Sequence, residues 1–167
     1  DFCCTSHFFK RRHVRLLPTG DDVFRVIERY LEIDPRMSFT ILDEDFLVAK
    51  DRAARLRELV QARGTPISIF AFASVKALSR TTPRELLETG IDGVWIGYEG
   101  TRSGFAKQQG RPVQELIPDL RSHGISVLAS MILGFDYQTP AVVREELAGL
   151  LALRPTLSQF LIYGPTP

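Results

Sequence analysis

Residues 93–100, "GVWIGYEG", decide how this chain folds. Val94, Trp95, Ile96 and Tyr98 make a near-continuous apolar run rather than an alternating one. A strand with one wet face alternates; a strand covered on both faces, as in a parallel sheet, need not. The run breaks at Glu99 and Gly100, a charged residue and a backbone-permissive one. Four further runs share the pattern: "SFTIL" (38–42), "ISIFAFA" (67–73), "SVLASMIL" (126–133) and "SQFLIY" (158–163).

Helical patterns lie between these runs. Val23, Val26, Ile27, Tyr30 and Leu31 follow the spacing i, i+3, i+4, i+7, i+8 behind Asp21 and Asp22. Ala53, Leu56, Leu59 and Val60 form a second stripe that stops at Gly64. "TPRE" (82–85) opens a third helix: Thr82 caps, Pro83 takes the first helical position and Glu85 closes a capping box. Val113, Leu116, Ile117 and Leu120 form a fourth stripe before Gly124, which Pro118 is expected to kink or shorten. A fifth starts at Thr139 and Pro140 and continues through Val143, Leu147, Leu150 and Leu151. The strands recur roughly every 30 residues, the length of a βα unit with a right-handed crossover.

The fold class expected is therefore α/β: an incomplete, TIM-like (β/α) barrel of parallel strands, one domain over residues 1–167. A doubly wound open sheet is the competing architecture, but it usually carries a Gly-rich turn after its first strand, and none is present. Five units are too few to close eight strands, and a missing first strand is expected ahead of the first helix. A chain that begins at Asp1 without Met and stops at "YGPTP" is expected to be cut from something longer at both ends.

Composition narrows the function classes. At 167 residues and 44% hydrophobic, the chain can bury a substantial core. Its 21 basic and 20 acidic residues imply no long-range pull towards nucleic acid or an anionic membrane. The longest apolar run, "VLASMILGF", suits a buried strand and is too short to span a bilayer. Two adjacent cysteines make no disulfide framework, so a cytoplasmic location is expected. The cluster "KRRHVR" (10–15) reads as a solvated loop rather than an RNA contact. His123 reads as a helix C-terminal residue, and His7 with Cys4 lacks the third group that would orient a catalytic dyad.

In parallel α/β folds, function collects at the C-terminal ends of the strands. Those ends are Asp43–Glu44–Asp45, Ala73–Ser74, "GYEG" (97–100), "GFDY" (134–137) and "YGP" (163–165). Acids, aromatics and glycines thus ring one mouth. If a strand precedes residue 1, Cys3 falls in the loop after it, at the same mouth, where a thiolate is a metal or cluster ligand candidate. Asp43, Asp45 and Glu99 also suit the metal or acid–base groups of another barrel enzyme, of aldolase or metal-hydrolase type.

The opening "DFC" resembles the end of the radical S-adenosylmethionine (SAM) signature, C-x3-C-x-Φ-C with Φ aromatic: Phe2 matches Φ and Cys3 the third cysteine. "FTILDEDFL", "VWIGYEG", "SMILGFDYQT" and "IYGPTP" are similar to the second, fourth, fifth and sixth strands of that superfamily. More narrowly, the chain is similar to the Fe–S oxidoreductases of that superfamily that carry an upstream cobalamin-binding domain. Ser130 stands where the first Gly of G-x-I-x-G is usual, Asp136 where Pro is common, and Gln138 where Glu is usual.

The resemblance implies an Fe–S enzyme core. Three thiolates hold a 4Fe–4S cluster, SAM chelates the open iron, and an electron from a reductase partner cleaves SAM to a 5′-deoxyadenosyl radical. It implies Cys3 as a cluster ligand with Phe2 packed over the cluster. Asp43 or Asp45 then accepts from the SAM ammonium and Glu99 from a ribose hydroxyl or the same ammonium. Ile132 and Gly134 border the adenine, and Tyr98 and Tyr163 shape the substrate side. Cobalamin is implied as a further cofactor and a small molecule as the substrate, with methyl transfer or a related oxidoreduction as the outcome. The chain alone, holding one signature thiolate, is expected to be inactive.

Overall fold

The computed structural model describes residues 15–104 and 109–164. Phe2, Cys3, Cys4, His7, Pro165 and residues 10–13 of the basic cluster lie outside the described residues. In chain order the elements are α1 (Gly20–Leu31), β1 (Ser38–Ile41), a 3-10 turn (Phe46–Val48), α2 (Lys50–Arg63), β2 (Ser68–Phe72), α3 (Val75–Leu78), α4 (Pro83–Glu88), β3 (Ile91–Gly97), α5 (Val113–Ser122), β4 (Ser126–Leu133), α6 (Pro140–Ala152) and β5 (Leu157–Ile162).

The five strands form one open sheet in the order β1-β2-β3-β4-β5, every pair parallel. This order separates the two architectures. A doubly wound sheet reverses direction at a switch point, so its order departs from sequence order. A barrel adds each strand beside the previous one, and successive right-handed crossovers then lay all the helices on one face. The sheet is a partial TIM-like barrel.

Register assigns the two faces. Ile41, Ala71, Val94 and Val127 lie side by side and face the helices. Ile69, Ala71, Val94, Ile96, Val127, Ala129 and Met131 are fully buried there, with Leu56, Leu78, Leu86, Ile117 and Leu150 closing over them from the helices. Each Val, Leu, Ile or Met side chain among them stabilises the fold by about 1.5–3 kcal/mol on burial. On the inner face, Phe72, Trp95 and Leu128 share a row, and the Phe72 and Trp95 rings stack at 4.7 Å. One row below, Gly93 lies beside Phe70, where a Cβ would come within 2.5 Å of the ring. The same glycine sits where the β2–β3 register shifts by one residue.

The helices start where local chemistry satisfies their first N–H groups. The Thr82–Glu85 box forms as the sequence predicts, and a second box joins Thr19 to Asp22 at the head of α1. Gly64 ends α2 with φ +74°. Pro118 does not end α5, which continues to Ser122. The proline forfeits a single bond, to the Gln114 carbonyl, while Leu116, Ile117 and Leu120 stay buried on the sheet and hold the turn together.

Candidate functional site

The mouth is built around the end of β3. Tyr98 N–H donates to the Ser130 carbonyl at 2.7 Å, and the Glu99 N–H reaches the same oxygen at 3.4 Å. Glu99 and Gly100 then both take left-handed φ, +52° and +80°. Glutamate in that region is strained, and such strain persists only where surroundings hold it. Here the turn folds the Glu99 side chain back over β4, where its Oε2 accepts from the Ile132 N–H at 3.2 Å, and the residue is 3% exposed.

The β4–α6 loop forms the adjoining wall. Gln138 Oε1 accepts from the Gly134 N–H at 2.8 Å and the Phe135 N–H at 3.1 Å. Its Nε2 donates to the Ile132 carbonyl at 3.1 Å and to Glu146 Oε2 at 3.4 Å. One amide thus closes the whole loop. Gly134 has φ +107°, in keeping with its place at the turn. The rings of Phe135 and Tyr137 stack at 5.7 Å, Phe135 meets Tyr163 at 5.5 Å, and Tyr163 N–H donates to the Leu133 carbonyl at 2.6 Å. The Tyr137 hydroxyl donates to the Glu99 carbonyl at 3.3 Å, joining the two walls. Burial pushes the Tyr137 phenol up, Glu146 and Glu99 add to this, and the bond with Gln138 opposes it.

The acids at the end of β1 part ways. Asp43 pairs with Arg52, whose side chain is almost fully buried. Arg52 also donates to the Leu17 carbonyl at 3.0 Å and lies 4.6 Å over the Phe46 ring. Asp45 Oδ1 is buried with no hydrogen-bond partner. Burial raises the Asp45 carboxyl above its ordinary value, and neighbouring Ser74 partly offsets that. Asp45 borders a cleft of about 660 Å³ between α2 and the α3–α4 segment.

Of the residues singled out from the sequence, Glu99, Ile132, Gly134 and Tyr163 come together on one side of the mouth. Tyr98 sits behind it: the side chain is buried against α6, where a Cβ on Gly149 would lie 3.0 Å from the hydroxyl. Burial raises its phenol, with Glu146 adding to the shift. Among the described residues no three His, Cys, Asp or Glu side chains group as a metal site, so Asp43, Asp45 and Glu99 do not converge on one ion.

Gln138 belongs to the "SMILGFDYQT" stretch, whereas Glu146 and Arg52 entered the site without a sequence motif of their own. Both left a signal. Glu146 is a carboxylate four residues before Leu150 on the inward stripe of α6, and Arg52 holds the same relation to Leu56 on α2. A charge on an apolar stripe marks a buried polar contact.

No family model matches the chain, and no curated protein matches it. Solved structures do. The radical SAM methyltransferase TsrM from Kitasatospora setae, with cobalamin and a [4Fe-4S] cluster bound, matches at TM-score 0.69 and 19% identity over 86% of this chain and 28% of that one. The same methyltransferase with tryptophan substrate and the SAM analog aza-SAM bound matches at TM-score 0.68 and 18% identity, over 85% of this chain and 30% of that one. Methylornithine synthase (PylB) matches at TM-score 0.45 and 13% identity, over 81% of this chain and 36% of that one. This chain spans less than a third of TsrM, and what it shares with that part is the fold. No helix among the described residues is long and apolar enough to cross a membrane.

Proposed function

We propose that this chain is part of the core of a radical SAM enzyme that binds a 4Fe–4S cluster and SAM. A cobalamin-dependent methyl transfer is the finer reading, suggested by the likeness to TsrM. The observation that carries the proposal is the Glu99 turn: a buried carboxylate held at the mouth by two consecutive left-handed residues. Backbone strain at a strand end of a parallel barrel belongs to a binding site.

The donor set suits SAM, which presents an ammonium, ribose hydroxyls and an adenine edge. Asp45 Oδ1 is a buried acceptor without a donor, and an ammonium supplies one. Such a charge-assisted bond is worth about 1.5–3 kcal/mol. Glu99 accepts from a ribose hydroxyl. Ile132 and Gly134 border the adenine, and the Phe135–Tyr137–Tyr163 rings keep water off the reacting end. Asp43, held by Arg52, braces the end of β1. Cys3 is the cluster ligand this chain contributes, with Phe2 shielding it. The bound cluster and SAM supply reductive cleavage of the sulfonium S–C5′ bond, the cofactor doing the hard chemistry. A reductase is the electron donor, and the substrate is a small molecule.

The test is iron and sulfide content of the full-length protein reconstituted anaerobically, followed by SAM cleavage under a strong reductant. The expected result is about four irons per chain and release of a SAM cleavage product. A Cys3→Ala protein that retained the full cluster and cleaved SAM would overturn the assignment of Cys3. A wild-type protein that bound neither iron nor SAM would overturn the function.

A further inference from the structure

Glu146 is a buried acid for which the proposed chemistry has no use. It is 2% exposed, and among the described residues it makes no ion pair. Its neighbour Glu145 takes the nearby arginine, Arg102, instead. A lone buried carboxylate costs free energy that a leucine at the same position would not. Its bonds show what it does there. Oε1 accepts from the Arg102 N–H at 3.2 Å, and Oε2 from Gln138 Nε2 at 3.4 Å. It also lies against Gly100, where a Cβ would fall 2.3 Å from the carboxylate.

One carboxylate therefore touches both walls of the mouth. On one side it fixes the turn from Glu99 to Arg102. On the other it fixes Gln138, which in turn holds Ile132, Gly134 and Phe135. Because Gln138 Oε1 is committed to two backbone N–H groups, its Nε2 is the atom that must face Glu146. A glutamate at 138 would set two carboxylates against each other and leave the Ile132 carbonyl without a donor. The amide at 138 and the acid at 146 are thus two halves of one arrangement.

We infer that Glu146 is a positioning residue for SAM: acting through Gln138 and the Arg102 N–H, it sets the spacing between the Glu99 turn and the Ile132–Gly134 edge, and so governs SAM affinity. The inference rests on the reading of this mouth as the SAM site. The test uses the full-length, cluster-loaded protein and measures the SAM dissociation constant by equilibrium dialysis, beside iron content and melting temperature. Glu146→Gln leaves one acceptor oxygen for two donors, Gln138 Nε2 and the Arg102 N–H, and should weaken SAM binding about tenfold at unchanged iron content, a size usual for residues in one hydrogen-bond network. Gln138→Glu should weaken it similarly. Combining the two substitutions restores a donor opposite an acceptor at the 138–146 contact while the Ile132 carbonyl stays without its donor, so the double variant should bind SAM more tightly than Gln138→Glu alone but short of wild type. If Glu146→Gln does not fold, Gln138→Glu alone and the double variant carry the comparison. Single variants that bind SAM like wild type, or a double variant no better than Gln138→Glu alone, would overturn the inference and leave the site standing. Wild-type protein that binds no SAM would overturn the site and the inference together.

Discussion

Gly100→Ala offers a direct measure of how tightly the mouth is built. Gly100 has φ +80°, and a Cβ there would meet the Glu146 carboxylate at 2.3 Å. Two costs follow. Alanine in the left-handed region loses about 1–2 kcal/mol relative to a right-handed position. The Cβ also displaces a buried acceptor from its donors, which costs about 1–3 kcal/mol more. The expected loss is about 2–5 kcal/mol. Gly64→Ala is the control: its φ is +74° but no atom lies within 4 Å of the new Cβ, so only the backbone cost applies. With a urea m-value near 2 kcal/mol/M, the unfolding midpoint should fall by about 1–2.5 M for Gly100→Ala and about 0.5–1 M for Gly64→Ala. In a Glu146→Ala background the two alanines should cost the same, because the obstacle is gone. Equal losses in the wild-type background would refute the account of Gly100 as a seat for Glu146.

Other perturbations follow from the same geometry. Asp43→Leu should destabilise the protein by about 3 kcal/mol and Arg52→Met by about 1–2 kcal/mol, because the first strands a buried guanidinium whereas the second leaves a carboxylate that water can reach; chemical denaturation that reversed this order would contradict the pairing. Asp45→Asn should raise stability near pH 7. The Asp45 carboxyl is raised in the folded state by burial, so its penalty is absent below the ordinary 3.8, grows as pH rises through the folded value, and is complete above it. The gain from asparagine should therefore shrink as melting curves are taken towards pH 4, and a gain that grew in acid would refute the sign. Thr82→Ala removes the side chain that caps α4 and should cost about 1 kcal/mol, read from thermal unfolding; no change would mean the capping box contributes nothing.

Much of the fold was legible because parallel strands advertise themselves. "SVLASMIL" is β4 residue for residue, and "GVWIGY" locates β3 to within two residues of its observed ends. Burial on both faces made these runs continuous, and no helix periodicity competes with them. Thr82–Pro83–Glu85 and Thr139–Pro140 announced two helix starts for the same reason: caps are local chemistry. Pro118 does not end α5, because a lost helical bond is local while the burial of Leu116, Ile117 and Leu120 that outweighs it is tertiary. The site was legible only in outline. Glu99, Ile132 and Gly134 lie at strand ends, which position alone reveals. That Glu99 folds back onto Ile132 and that Glu146 reaches the Arg102 N–H depend on contacts across 33 and 44 residues of chain, which no local pattern encodes. Asp43 and Asp45 looked equivalent in "DED" and are not: one is bonded to a buried arginine, the other has an orphaned oxygen.

The order β1-β2-β3-β4-β5 also has a kinetic meaning. Every strand finds its partner one βα unit away, so no early segment waits for a late one and each loop closed is short. A ribosome releasing this chain from its N-terminal end delivers the pairs in the sequence in which they dock. The mouth is completed only when α6 arrives, since Glu146 is carried on it. The turn at Glu99 and Gly100, held in a backbone region a glutamate avoids, is then a late event of assembly, set after the sheet beneath it has formed.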